Sequence, residues 1–183
     1  RKVLKNYRQY LKQLRTSTNN MEDTFKIRRL KNTELSSVAK IVSENFSQLK
    51  DIKKAKQWVR CSFLAFPRMQ YFVIQLKKEI IGYILWSEKG GFREEAVFEL
   101  DQIAVGRKFR GMGAGTALVV KSLSEMKKYL KKRISRLKMV LVSVRNENPA
   151  AQALYKKTLG AKVECVVKDY LRGDEALMIA RKV

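Results

Sequence analysis

The sequence predicts an α/β protein built on one central mixed, mostly antiparallel β-sheet with helices on its faces. Three observations point there. Short alternating runs such as FELDQIAV, Phe98 to Val105, are interleaved with longer runs whose apolar residues recur every three or four positions. A glycine-rich loop, RKFRGMGAGTAL at 107–118, joins one such strand to a long helix. The 183 residues suffice for one domain with a sizeable core and are too few to be comfortable as two.

Residues 1–20, RKVLKNYRQYLKQLRTSTNN, hold six basic residues and no acidic one. Val3, Leu4, Tyr7, Tyr10, Leu11 and Leu14 fall at helical spacing, so a basic amphipathic helix is expected to end near Thr16, followed by a linker at 17–20. The main domain then spans 21–183. TFKIRRL at 24–30 reads as a strand. Asn32 or Thr33 can cap a helix through Phe46, with Leu35, Val38, Ile41, Val42 and Phe46 inward. A basic helix is expected from about Lys50 to Phe66. YFVIQL, a turn at Lys77-Lys78 and EIIGYILWSE form a hairpin. Phe92 to Val105 is a further strand, and the helix after the glycine loop runs to about Lys132. Lys138 to Val144 is the next strand. Asn148 or Pro149 opens a short helix ending near Gly160, and AKVECVV with ALMIARK closes the chain as a hairpin.

Composition removes whole classes of chemistry. With no histidine and two isolated cysteines, Cys61 and Cys165, no metal site is expected, and Ser-His or Cys-His catalysis is impossible. A general base must be Glu, Asp, Tyr, Lys or water. No apolar run reaches the roughly 20 residues of a membrane span, and unpaired cysteines make a reducing, cytoplasmic setting the default expectation. The 40 Lys and Arg against 17 Asp and Glu give a net charge of +23. That excess fits a lysine-rich proteome with solvated helix faces, or a polyanionic partner whose phosphates it neutralises. The N-terminal helix, the 50–60 segment and Lys127, Lys128, Lys131, Lys132 and Arg133 are the candidate contact surface.

Strand, glycine loop and helix together present backbone N–H groups to a phosphate. A nucleotide-triphosphate loop is excluded because no Lys-Ser or Lys-Thr follows the glycines. A dinucleotide fingerprint is excluded because Thr116 stands at the third glycine and the loop lies past mid-chain. What remains is R-x-x-G-x-G, Arg110, Gly113 and Gly115, directly after a strand ending IAV. This resembles the GNAT superfamily of acetyl-CoA-dependent N-acetyltransferases. A second block, VSVRNENPAAQALYKKTLGAKV at 142–163, is similar to that family's other signature, with Ala161 in place of its usual aromatic. The closing DYLRGDEALMIARK, with the VSVRNENPAAQALY stretch, looks most like the ribosomal-protein and archaeal protein N-terminal acetyltransferases.

The resemblance covers roughly Phe25 to Arg181 and implies a GNAT fold with an added N-terminal helix. It implies acetyl-CoA as cofactor, held by Ile103, Ala104, Val105, Arg110, Gly111, Met112, Gly113, Ala114, Gly115, Asn148 and Tyr155. Ile103 to Val105 would pair with the pantetheine arm, the loop would hold the pyrophosphate, and Tyr155 would be general acid to the leaving thiolate. Those N-terminal acetyltransferases carry Glu where this chain has Ser143, so the base implied here is Glu99, with Asp101 in reserve. The expected acceptor is a protein or peptide α-amine, or lysine, on a ribosome- or RNA-associated target. A GNAT-fold structural or RNA-binding subunit with little catalysis is the alternative. A small-molecule acetyltransferase would need an acidic pocket, which the sequence does not place.

Overall fold

The computed structural model describes residues 25–171 and 173–181; the expected helix at 1–20 lies outside them. The chain begins with β1 (Phe25–Arg29), α1 (Leu35–Asn45), α2 (Ile52–Leu64) and the hairpin β2 (Met69–Leu76) and β3 (Glu79–Lys89). Next come β4 (Glu95–Val105), α3 (Ala114–Lys132), β5 (Arg136–Arg145) and α4 (Pro149–Leu159). β6 (Lys162–Val167) and β7 (Glu175–Ala180) finish the fold. The strands form one sheet in the order β1-β2-β3-β4-β5-β7-β6. All neighbours are antiparallel except β4 and β5, which run parallel because α3 carries the chain back between them. This is the mixed, mostly antiparallel sheet that the sequence predicts.

Two cores lie on opposite faces of the sheet. Val38, Ala39, Ile41 and Val42 of α1, with Ala55 and Val59 of α2, pack against Tyr71, Val73, Tyr83, Leu85 and Ala104. On the other face α3 and α4 cover Phe72, Ile84, Trp86, Phe98, Leu100, Val140, Val142, Ala176 and Met178. Trp86 donates its indole N–H to Ser122 of α3 at 2.9 Å, which satisfies both buried polar groups. β4 serves both cores, with Ala96, Phe98 and Leu100 in one and Ala104 in the other.

Three local expectations are corrected. Neither Asn32 nor Thr33 caps α1: residues Asn32–Glu34 form a 3-10 turn first. The Glu34 carboxylate instead accepts the Lys31 N–H at 3.1 Å and is gripped by Arg28 at 2.7 and 2.8 Å. α2 is shorter than expected, starting after Asp51, whose Oδ1 accepts the Lys53 N–H at 2.7 Å, and ending at Leu64. The third correction concerns the basic cluster. Lys127, Lys128, Lys131 and Lys132 are exposed, but Arg133 is turned inward.

Arg133 reaches Glu88 through both guanidinium nitrogens, at 2.6 and 2.8 Å, and its ring-facing surface lies 5.1 Å from Phe92 and 5.5 Å from Tyr129. Glu88 has a side-chain exposure of 1 %. Removing the arginine would strand a buried carboxylate, which costs more than the pair itself contributes. Arg133→Ala is therefore expected to destabilise folding by about 3 kcal/mol, measured by urea unfolding, while alanine at exposed Lys131 changes little.

Candidate active site

β4 and β5 pair only from Glu95↔Arg136 to Glu99↔Leu141. Beyond that point β4 continues against β3, and β5 continues against β7 as far as Arg145↔Glu175. The two parallel strands therefore open into a V, with Leu100 to Val105 on one arm and Val142 to Arg145 on the other. Along the first arm, every second residue turns its N–H and C=O away from β3 and into the opening. Buried backbone polar groups need partners, so the V calls for an extended ligand.

A β-bulge shapes the first arm. Leu85 pairs with Gln102 and Trp86 with Leu100, which leaves Asp101 without an opposite residue. The extra residue bends β4 and shifts its facing. Before the bulge Phe98 and Leu100 join the α3/α4 core; after it Ala104 joins the α1/α2 core, and Ile103 and Val105 pack on the α3/α4 side. Gly82 opposite Val105 permits this close course, since a Cβ there would lie 2.8 Å from the Ala104 carbonyl oxygen.

At the end of β4, a 3-10 turn at Arg107–Phe109 leads into the glycine loop. Gly111 and Gly113 take φ of +78° and +81°, and no atom lies within 4 Å of where a Cβ would stand on either. The conformation demands glycine at both positions, and the space in front of them is open. Gly113 is the N-cap of α3 and has no side chain to cap it, so the amides of the first turn are not capped by any side chain. The first turn also carries no acidic residue. Open space, uncapped amides and a helix dipole of 19 residues fit a pyrophosphate. Arg110 is engaged elsewhere: Nη2 donates to Asn45 Oδ1 at 2.5 Å and Nε to the Val105 carbonyl at 3.3 Å, tying the loop to α1. Met112 is exposed at the loop's crest, and Ala114 is buried behind it.

Asn148 is the N-cap of α4, its Oδ1 accepting the Ala151 N–H at 3.1 Å. Tyr155, two turns on, is 5 % exposed in the α3/α4 core. Burial pushes its phenol up to about 12, so it stays protonated at neutral pH.

The opposite face of the V gathers carboxylates. Glu99 and Asp101 point away from the α3/α4 core, and Glu99 pairs with Lys89 at 2.6 Å. Burial pushes the Asp101 carboxyl up, the nearby Glu99 charge adds to this, and Lys89 and Arg68 oppose it. The Ser87 hydroxyl, across from Glu99, is buried with no hydrogen-bond partner among the described residues. On the second arm, Ser143 donates a hydrogen bond to the Glu175 carboxylate at 3.1 Å. Sequence reasoning missed Glu175. Its only hint was the serine at 143, because the β5–β7 pairing that brings 175 alongside has no local signature.

The chain matches the model of the acetyltransferase (GNAT) family over residues 35–161. An uncharacterised N-acetyltransferase of Methanocaldococcus jannaschii is 34 % identical over 126 residues, 65 % of this chain and 52 % of the relative. The match thus spans about half that relative's length. An N-alpha-acetyltransferase of Sulfurisphaera tokodaii is 25 % identical over 167 residues, covering 85 % of this chain and 92 % of its own. Among solved structures, the Escherichia coli ribosomal-protein-S18-alanine N-acetyltransferase superposes with a TM-score of 0.64 at 22 % identity, over 86 % of this chain and 93 % of that one. The Vibrio cholerae spermidine/spermine N-acetyltransferase superposes at 0.65 with 19 % identity, over 87 % and 93 %. With the family model covering well over half its length, and a splayed sheet beside a glycine-led helix, the chain belongs to the acetyltransferase (GNAT) family.

Proposed function

We propose that this protein transfers acetyl from acetyl-CoA to a protein N-terminal α-amine or a lysine, on a target carried by a ribosome or another RNA assembly. The observation that carries the transfer is the V itself, with unpaired backbone inside it and uncapped amides at its mouth. The N-terminal preference draws on the name of the Sulfurisphaera tokodaii relative.

Acetyl-CoA supplies the thioester carbonyl that the amine attacks, so that an N–C bond forms and the C–S bond breaks. The loop from Gly111 to Gly115 and the first turn of α3 hold the two phosphates through backbone amides. Arg110 contributes by fixing the loop to α1 rather than by reaching into it. The free backbone groups of Ile103 to Val105 align the pantetheine arm and polarise the carbonyl. Asn148 keeps its Nδ2 for the same arm while its Oδ1 caps the helix.

The amine must lose a proton to become nucleophilic. Of the two carboxylates on the first arm, Asp101 is the better acceptor, because burial raises its proton affinity while Glu99 is engaged with Lys89. Tyr155 would serve the departing sulfur as a hydrogen-bond donor, since burial keeps its phenol protonated. A phenol at about 12 holds its proton more tightly than a thiol near roughly 8.5. Its contribution is therefore stabilisation of charge building on sulfur, ahead of any full proton transfer.

Tyr155→Phe is expected to lower kcat by about a hundredfold while leaving CoA affinity by calorimetry unchanged; unchanged turnover would remove Tyr155 from the mechanism. Asp101→Asn should lower kcat on a free-amine peptide by roughly the same factor and, unusually for a loss of function, raise Tm at pH 7. The sign follows from linkage: a carboxyl with a raised folded value binds its proton better in the native state, so stability falls as pH rises through that value. The gain in Tm should therefore shrink as pH falls toward the ordinary 3.8.

The basic surface supports the choice of target. Lys53, Lys54, Lys56 and Arg60 stand exposed along α2, and Lys127, Lys128, Lys131 and Lys132 along the end of α3. Single-stranded RNA should bind at low ionic strength and weaken steeply with salt, with a shallower slope when the α2 cations are replaced by alanine. Absent or salt-insensitive binding would rule out the RNA-associated target.

A further inference from the structure

Glu175 is 6 % exposed, yet no Lys or Arg among the described residues lies within ion-pair distance of it. Its one side-chain partner among the described residues is the Ser143 hydroxyl. A buried carboxylate with one neutral hydrogen bond is costly, since its lost hydration is barely replaced. Scarcity of cations is no explanation in a chain with 40 of them. Other acidic side chains here are met by arginine: Glu88 by Arg133, Glu34 by Arg28, Glu95 by Arg136 and Glu164 by Arg181.

Position gives the missing charge a source. Val142 and Val144 of β5 and Ala176 and Met178 of β7 point into the α3/α4 core, so Ser143 and Glu175 face the other way. That is the face shared by Glu99 and Asp101. α1 and α2 pack over β2, β3 and β4 on this side, whereas Ser143, Leu177 and Ile179 of β5 and β7 are only half-buried. Ser143 lies two residues past Leu141, where the V opens. Ser143 therefore sits on the second arm, and the unpaired charge lies one strand beyond it on β7, on the same face of the sheet as the proton acceptor of the first arm.

We infer that Glu175, oriented by Ser143, is the docking carboxylate for the acceptor's ammonium group. This rests on the amine-acetyltransferase reading and adds the group that admits a cation into a protein of charge +23. An incoming α-amine, with an ordinary value near roughly 8, arrives mostly protonated at neutral pH. Glu175 pairs with that ammonium and Ser143 holds the carboxylate toward the opening. Deprotonation then occurs beside Asp101 on the facing arm.

The test titrates CoA-loaded protein with trialanine and with Nα-acetyl-trialanine, the same peptide without the positive charge. Wild type is expected to bind the free amine at least tenfold more tightly. Glu175→Gln should erase that preference, Ser143→Ala should reduce it a few-fold, and Glu175→Asp should retain part of it. CoA affinity should stay unchanged in all three, a control that a merely structural role for Glu175 would fail. If Glu175→Gln does not fold, Ser143→Ala and Glu175→Asp carry the comparison. An undiminished preference in the folded variants, or none in wild type, overturns the inference. Wild type that shows the Glu175-dependent preference yet transfers no acetyl group overturns the proposed activity and leaves the docking site standing. Transfer by Glu175→Gln with an unchanged KM for the amine does the reverse.

Discussion

The constraint on which the site depends is the point where β4 and β5 stop pairing. Parallel strands joined by a helical crossover normally stay in register to their ends, because each lost ladder bond leaves backbone groups to be satisfied elsewhere. Here the pairing ends at Glu99↔Leu141, and two features keep it from resuming. The bulge at Asp101 bends β4 toward β3, and β7 holds β5 on its far side through Arg145. Each arm is anchored on its outer edge, so the gap is a fixed part of the fold. The glycine loop follows from the same geometry, since β4 delivers the chain to the mouth of the gap and α3 must start there to reach β5.

A protein of charge +23 that handles an amine faces an electrostatic conflict. Its field attracts phosphates and repels ammonium groups. The fold separates the two demands across the sheet. The proposed phosphate site is the glycines and helix amides at the mouth of the V, and the exposed lysines of α2 and α3 lie on helices, outside the acidic face of the sheet itself. The proposed ammonium site is on the other face, where Glu99 and Asp101 come from β4 and Glu175 from β7.

What was legible in the sequence was whatever is local. The glycine loop, the Asn148 cap and Tyr155 sit in contiguous stretches whose spacing alone sets their relation, and the strand-helix order gives the mixed sheet. Features that depend on distant partners were not legible. Arg133 looked like a member of a basic surface cluster because Glu88 lies 45 positions earlier. Ser143 looked like a lost carboxylate because Glu175 lies 32 positions later. The bulge at Asp101 leaves the apolar alternation of β4 almost intact, since Gln102 and Ala104 are buried in turn, but against a different core. Alternation reports that a residue is inside without reporting which side it is inside of.

The treatment of buried acids sharpens this division. Glu88 serves the fold, and it receives a bidentate arginine stacked on two rings, an arrangement with no room for a ligand. Among the described residues, Asp101 and Glu175 have no such partner. Asp101 keeps a raised proton affinity, and Glu175 keeps a single hydroxyl. Burial of the Asp101 carboxylate lowers the stability of the empty protein, because its desolvation is only partly offset by Lys89 and Arg68. It also leaves a group whose free energy falls when a proton arrives. A chain with more than twice as many cations as anions had arginines to spare for both positions. Among the described residues no arginine forms an ion pair with Asp101 or Glu175, even though Arg145 stands opposite Glu175 on β5, whereas Glu88 is gripped by Arg133; the proposed roles, two carboxylates that handle an amine and one that holds the sheet to its helix, follow that difference.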